Sequence, residues 1–169
     1  MTRSSRSLAP LMRMLTMCRR TIRARRGCVR SRHVRRVFVD TGGFFALLTA
    51  EDSNHVRARE LFARSTRERW RLVTTNAVVT ETYALLLVRT RERRAIAIAF
   101  LDGLAAPGVR VERVRASDEQ QAQSLVRAHK DKAYSLCDAY SFVVMHRLGV
   151  TEAVAFDRHF LEYGKVVVL

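Results

Sequence analysis

Val37-Phe38-Val39-Asp40-Thr41-Gly42-Gly43, continuing apolar through Leu48, is the stretch from which the fold is read. A short β-rich run ends on an acid, small residues follow, and an apolar segment comes next. This predicts a strand, a tight turn and a short helix. Working outward, Ser53 is a candidate N-cap for an amphipathic helix to about Arg67, and Arg71–Thr74 reads as a second strand. Asn76 is a candidate cap for a helix to about Val88 that is apolar on most sides and is expected to be buried. A further helix covers about Glu92–Leu104 and stops at Pro107-Gly108, and Val109–Val114 alternates as a strand at a sheet edge would. Ser117-Asp118-Glu119-Gln120 and Ser135-Leu136-Cys137-Asp138 are capping boxes for helices to about His129 and Leu148, the second closed by Gly149. Ala153–Phe156 is a strand ending at Asp157, followed by a helical turn and a last strand, Val166–Leu169. Strands alternating with helices argue an α/β fold on a mainly parallel sheet.

The chain has 169 residues, with 31 Lys+Arg against 16 Asp+Glu, and 48% hydrophobic residues, enough for a core. Scarcity of Gly (7) and Pro (2) excludes collagen-like and turn-dense all-β readings. The longest apolar run, Ala84–Val88, is far short of a membrane span. Cys18, Cys28 and Cys137 make no disulfide framework and no paired zinc knuckle, which favours a reducing cytoplasm. The charge is concentrated: residues 1–36 hold 12 Arg and no acid, whereas 37–169 hold 19 basic and 16 acidic side chains. A basic, disordered N-terminal arm (1–36) therefore precedes a nearly neutral domain (37–169). The arm reads as an RNA-binding tail, as a targeting peptide, or as a segment foreign to the natural product. Of the 31 basic residues 28 are Arg, as a GC-rich coding sequence would give, and the last reading or plain disorder is preferred.

Four carboxylates carry the chemical reading. Asp40 and Asp157 each follow an apolar strand, where ligands of parallel sheets bind, although either also suits a helix cap. Glu81 lies among Val78, Val79, Leu85 and Leu86, where a carboxylate needs a cation, a polar cleft, or an ion pair with Arg89 or Arg91. Asp138 is the lone charge in the first turns of an apolar helix, with capping by Ser135 as the rival role. Clustered acids repel one another, and hard divalent cations such as Mg²⁺ or Mn²⁺ relieve that repulsion through all-oxygen sites.

Val37–Thr41, Thr75-Asn76 with Glu81, Asp131–Phe142 and Ala155-Phe156-Asp157-Arg158-His159-Phe160 together resemble the PIN-domain ribonucleases. In particular they resemble the VapC-type toxins of bacterial toxin–antitoxin pairs and their relatives. The resemblance implies a Rossmann-like, mainly parallel sheet with helices on both faces, and Mg²⁺- or Mn²⁺-dependent cleavage of RNA. It implies that Asp40, Glu81, Asp138 and Asp157 are the catalytic and metal-binding quartet. Thr41, Asn76 and Ser141 fall on small polar positions near the site, and Asp131 on a peripheral acidic one. It also implies a small antitoxin whose C-terminal segment enters the acidic groove, and homodimerisation. The 36 residues before the first strand depart from the family pattern.

Other residues invite weaker readings. His159 could steer a phosphate or pack at its turn. Cys137 suits a core position, Trp70 and Tyr134 suit base stacking or ordinary packing, and Arg89, Arg91, Arg93 and Arg94 form a basic run suited to RNA phosphates. The alternative to an endoribonuclease is an RNA-binding module of the same fold with weak or no nuclease activity. A haloacid-dehalogenase-type phosphohydrolase needs an acid two residues after Asp40, where Gly42 stands, and no glycine-rich phosphate loop is present.

Overall fold

The computed structural model describes residues 34–91, 93–105 and 108–169. The basic arm up to residue 33, with Cys18, Cys28 and His33, lies outside the described residues, as do Glu92, Pro107 and the side chain of Arg93. In chain order the described elements are β1 (Arg36–Val39), α1 (Thr41–Leu48), α2 (His55–Arg67), β2 (Arg71–Thr75), α3 (Asn76–Arg89), α4 (Arg93–Ala105), β3 (Val109–Glu112), α5 (Ala116–Ala128), α6 (Leu136–Leu148), β4 (Glu152–Val154), α7 (Arg158–Tyr163) and β5 (Val167–Val168).

The sheet has strand order β3-β2-β1-β4-β5, and every pairing is parallel. The chain steps from β1 outward to β3, then returns to place β4 on the other side of β1. The order therefore reverses between β1 and β4, and the carboxyl ends of those strands frame the crevice in which open α/β sheets bind ligands. β3 is an edge strand, as expected, but it ends at Glu112 and its burial does not follow the alternation, with Val111 exposed and Glu112 buried. Helices cover both faces. Phe44 packs with Phe62 and Phe100 from α2 and α4, while Phe38 of β1 meets Phe160 of α7, which meets Phe142 of α6.

Several local expectations shift. β1 opens at Arg36 rather than Val37, and Arg35 ahead of it binds Glu152 in a two-pronged ion pair at 2.6 and 2.7 Å, so the ordered body starts before residue 37. Asn54, not Ser53, precedes α2. Thr75 caps α3 by accepting the Val78 N–H, and Asn76 instead accepts the Val114 N–H at 2.8 Å. The helix after β3 begins two residues early: Asp118 reaches back to the Arg115 N–H at 2.9 Å, so Ser117 is inside the helix and not its cap. The largest correction concerns α3. Only Val78, Thr82 and Leu86 are buried in it, and Val88 is 71% exposed. Its apolar composition exceeds what the core covers, so the expected burial on most sides fails.

Candidate active site

Asp40, Glu81, Asp138 and Asp157 line one cavity of about 420 Å³ at the carboxyl edge of the sheet. Three of them are delivered by a helix cap, and Glu81 comes from within α3. Asp40 ends β1 and caps α1, accepting the Gly42 N–H at 3.3 Å. Asp157 caps α7 through the His159 N–H at 2.8 Å; it follows β4 after Ala155 and Phe156, since that strand ends at Val154. Asp138 and Ser135 form the predicted reciprocal box, at 2.9 and 3.0 Å. Thus the capping and the cavity-lining readings coincide, because a cap occupies one carboxylate oxygen and a carboxylate has two.

The four differ in exposure. Asp40 and Asp138 are buried, at 4% and 8% exposure, whereas Glu81 and Asp157 are exposed. The desolvation argument for Glu81 is therefore overturned: the residue lines the cavity yet is exposed, and its carboxylate accepts the Thr41 hydroxyl. Neither Arg89 nor Arg91 pairs with it among the described residues. Asp40 bears the electrostatic load. Burial above all, with added repulsion from Asp138 and Glu81, pushes its carboxyl up to about 7, against the lowering effect of the Thr41 and Gly42 N–H groups. The Cys137 thiol is pushed up by burial and then by Glu81, so it stays neutral beside the acids.

A divalent cation fits this donor chemistry, because the lining acids are hard oxygen ligands and at least one of them resists ionising unaided. No three His, Cys, Asp or Glu side chains among the described residues are gathered as a ready chelating group.

The cavity also contains residues that the sequence did not single out as site residues: Asp52, Asn54, Phe45, Leu85 and Phe156. Asp52 and Asn54 form a local turn, the Asn54 N–H donating to Asp52 at 2.7 Å, a pattern typical of loops and so without functional signal. His159 does more than pack at its turn: it also stands between Asp138 and Asp157. Ser141 donates to the Cys137 carbonyl and is fully buried, Asn76 serves the backbone, and Asp131 lies outside the cavity. Trp70, 3% exposed and packed against the guanidinium groups of Arg35 and Arg64, is not available to a base, and Tyr134 is likewise buried against Phe142 and His159.

Comparison with known proteins agrees with this architecture. The PIN domain family model matches residues 37–166. A protein named 23S rRNA-specific endonuclease VapC20, from two strains of Mycobacterium tuberculosis, is 39% identical over 132 residues, which is 78% of this chain and 97% of that protein. The crystal structure of Mycobacterium tuberculosis VapC20, described as a sarcin-ricin loop cleaving toxin, superposes with a TM-score of 0.72 at 36% identity, covering 78% of this chain and 98% of that one. VapBC2 from Rickettsia felis, crystallised with a DNA fragment from its promoter, shares the fold alone, with a TM-score of 0.56 at 9% identity over 79% of this chain and 97% of the other. With its all-parallel sheet, its acid-lined crevice at the strand-order reversal and a family match over most of its length, this chain belongs to the PIN-domain family.

Proposed function

We propose that this chain is a divalent-metal-dependent endoribonuclease, the toxin half of a toxin–antitoxin pair, which hydrolyses RNA phosphodiester bonds at the Asp40–Glu81–Asp138–Asp157 cavity. The observation that carries the reading is the pairing of two buried carboxylates, Asp40 and Asp138, with two exposed ones around a single solvent-open crevice. A structural role does not call for four acids in one place, since each repels the others. Mg²⁺ or Mn²⁺ supplies, when bound, a water of lowered pKa and a shield for the charge that develops on the phosphate.

Asp40 and Asp138 are the inner ligands in this reading. Their caps fix them: Gly42 holds one oxygen of Asp40, and Ser135 holds one of Asp138. Glu81, tied by Thr41, and Asp157 complete the acidic shell, and one of them orients the attacking water. Phe45, Leu85 and Phe156 give the cavity apolar walls against which a nucleotide can lie. Arg89, Arg91 and Arg94 are exposed and suit contacts with the RNA backbone.

The substrate to try first follows from the relative: a structured loop of large-subunit ribosomal RNA. The partner that follows from the same kinship is a small antitoxin whose tail enters the acidic groove, and the compartment is the cytoplasm. No helix among the described residues is long and apolar enough to cross a membrane.

The test is purified chain on labelled 23S rRNA with Mg²⁺, with Mn²⁺ and with EDTA. Cleavage that stops in EDTA and returns on adding either metal is the expected result. Cleavage that continues in EDTA would overturn the metal mechanism. RNA binding without cleavage under every condition would put the binding-module alternative in its place.

A further inference from the structure

Between Asp138 and Asp157 stands the imidazole of His159, which belongs to neither strand end nor capping box. Its Nδ1 is 2.9 Å from Asp138 Oδ2 and 3.3 Å from Asp157 Oδ1. Two carboxylate oxygens facing one ring nitrogen require that nitrogen to carry the proton, and Nδ1–H donates whether the ring is neutral or charged. The ring is itself held: Tyr134 packs edge-on against it at 5.7 Å, and Phe142 packs edge-on against Tyr134 at 5.4 Å. An aromatic ladder thus runs from the core of α6 to the cavity.

The oxygens that His159 engages are those already used by the backbone. Asp138 Oδ2 also accepts the Ser135 N–H at 2.9 Å, and Asp157 Oδ1 also accepts the His159 N–H at 2.8 Å. Among the described residues Asp138 Oδ1 and Asp157 Oδ2 have no hydrogen-bond partner. Two donors on Asp138 Oδ2, and on Asp157 Oδ1 one backbone donor with the imidazole nitrogen close beside it, hold the two carboxylates and leave the other oxygen of each for a ligand.

We infer that His159 is a positioning residue that locks Asp138 and Asp157 in the orientation in which each offers its second oxygen to a divalent cation. This rests on the proposed metal-dependent reading of the cavity. A hydrogen bond from a neighbour to a ligating carboxylate commonly changes metal affinity or activity by about 10- to 100-fold.

The test uses the intact chain and His159→Ala, His159→Asn and His159→Gln. The amide nitrogen of Asn falls where Nδ1 lies, and that of Gln falls near Nε2. Mn²⁺ affinity is read from the free-ion electron paramagnetic resonance signal, and kcat and KM from RNA cleavage. The expectation is that Ala and Gln weaken Mn²⁺ binding by about 10- to 100-fold, with a parallel fall in kcat and little change in KM, while Asn restores most of both. A mere packing role predicts no difference between Asn and Gln, and that result would overturn the inference even if the Ala variant folds poorly. Wild-type chain that takes up no Mn²⁺, or an Ala variant that binds it as tightly as wild type, would overturn it too. Mn²⁺ binding that depends on His159 in a chain that cuts no RNA would uphold the positioning role and sink the ribonuclease reading.

Discussion

Asp40 ends a strand, caps a helix and lies buried in an acidic cavity, and these three duties conflict in one measurable way. Its carboxyl is pushed up to about 7, whereas in the unfolded chain it titrates near 4, as ordinary Asp does. Between those values the folded protein keeps a proton that the unfolded chain has lost. The stabilisation this gives is complete below about pH 4 and is lost as the pH rises toward about 7. In metal-free buffer the melting temperature is therefore expected to fall across that window. Asp40→Asn should flatten the fall and melt higher than wild type at pH 8, by about 3–6 °C, as calorimetry in EDTA would show. A variant melting lower than wild type at that pH would contradict the burden assigned to Asp40. Nearby, the two glycines expected in a tight turn lie in the first turn of α1 instead, and they separate sharply. A Cβ on Gly43 would lie 2.7 Å from the Val154 carbonyl oxygen, while one on Gly42 meets nothing closer than 3.5 Å. Gly43→Ala must push α1 off β4 and should cost about 1–3 kcal/mol in urea unfolding, whereas Gly42→Ala should be nearly neutral. Asp40, Asp138 and Asp157 were legible as site candidates because strand ends and caps are local patterns. The role of His159 was not, since its partner Asp138 is 21 residues away and only the fold sets that distance.

At the scale of elements, α5 and α6 are joined by more than apolar packing. Arg147, near the end of α6, reaches Asp118 in the first turn of α5 at 3.0 Å and lies 3.8 Å from Glu112 of β3. Asp118 is 1% exposed and Glu112 is 8% exposed. Removing the arginine strands the Asp118 charge in the interior, though Arg110 still pairs with Glu112. Arg147→Met should cost about 3 kcal/mol, read as a lower urea midpoint, and Arg147→Met combined with Asp118→Asn should recover part of that loss. An additive double variant would show that the two side chains do not act as a pair. This link also explains why the capping box expected at Ser117 is displaced: Asp118 turns inward to Arg147 and to the Arg115 N–H, so the helix starts earlier. The apolar faces were less legible than the caps. Composition marks α3 as a buried helix, yet which of its residues meet the core depends on where α1, α4 and α6 pack, and Val88 is left outside.

On the scale of the whole molecule, strand order decides where function sits. The alternation of strands and helices was readable along the chain and gives a parallel sheet, but the return of β4 to the far side of β1 was not, and that step brings Asp157 beside Asp40. The basic arm lies outside the family match. The PIN domain match begins at residue 37, and 132 aligned residues account for 97% of the VapC20 relative. Deleting residues 1–33, which keeps Arg35 and its pair with Glu152, should leave the melting temperature and the cleavage rate unchanged. A marked drop in melting temperature would show that the arm packs on the domain. The central claim, that the clustered acids cut RNA, is tested most directly by single-turnover cleavage of labelled 23S rRNA in Mn²⁺ by wild type, Asp40→Asn and Asp138→Asn. Each variant keeps the shape of the side chain and removes one negative charge. The account predicts a loss of at least about 100-fold for each, with the protein still folded by circular dichroism. Cleavage by either variant at the wild-type rate would contradict it.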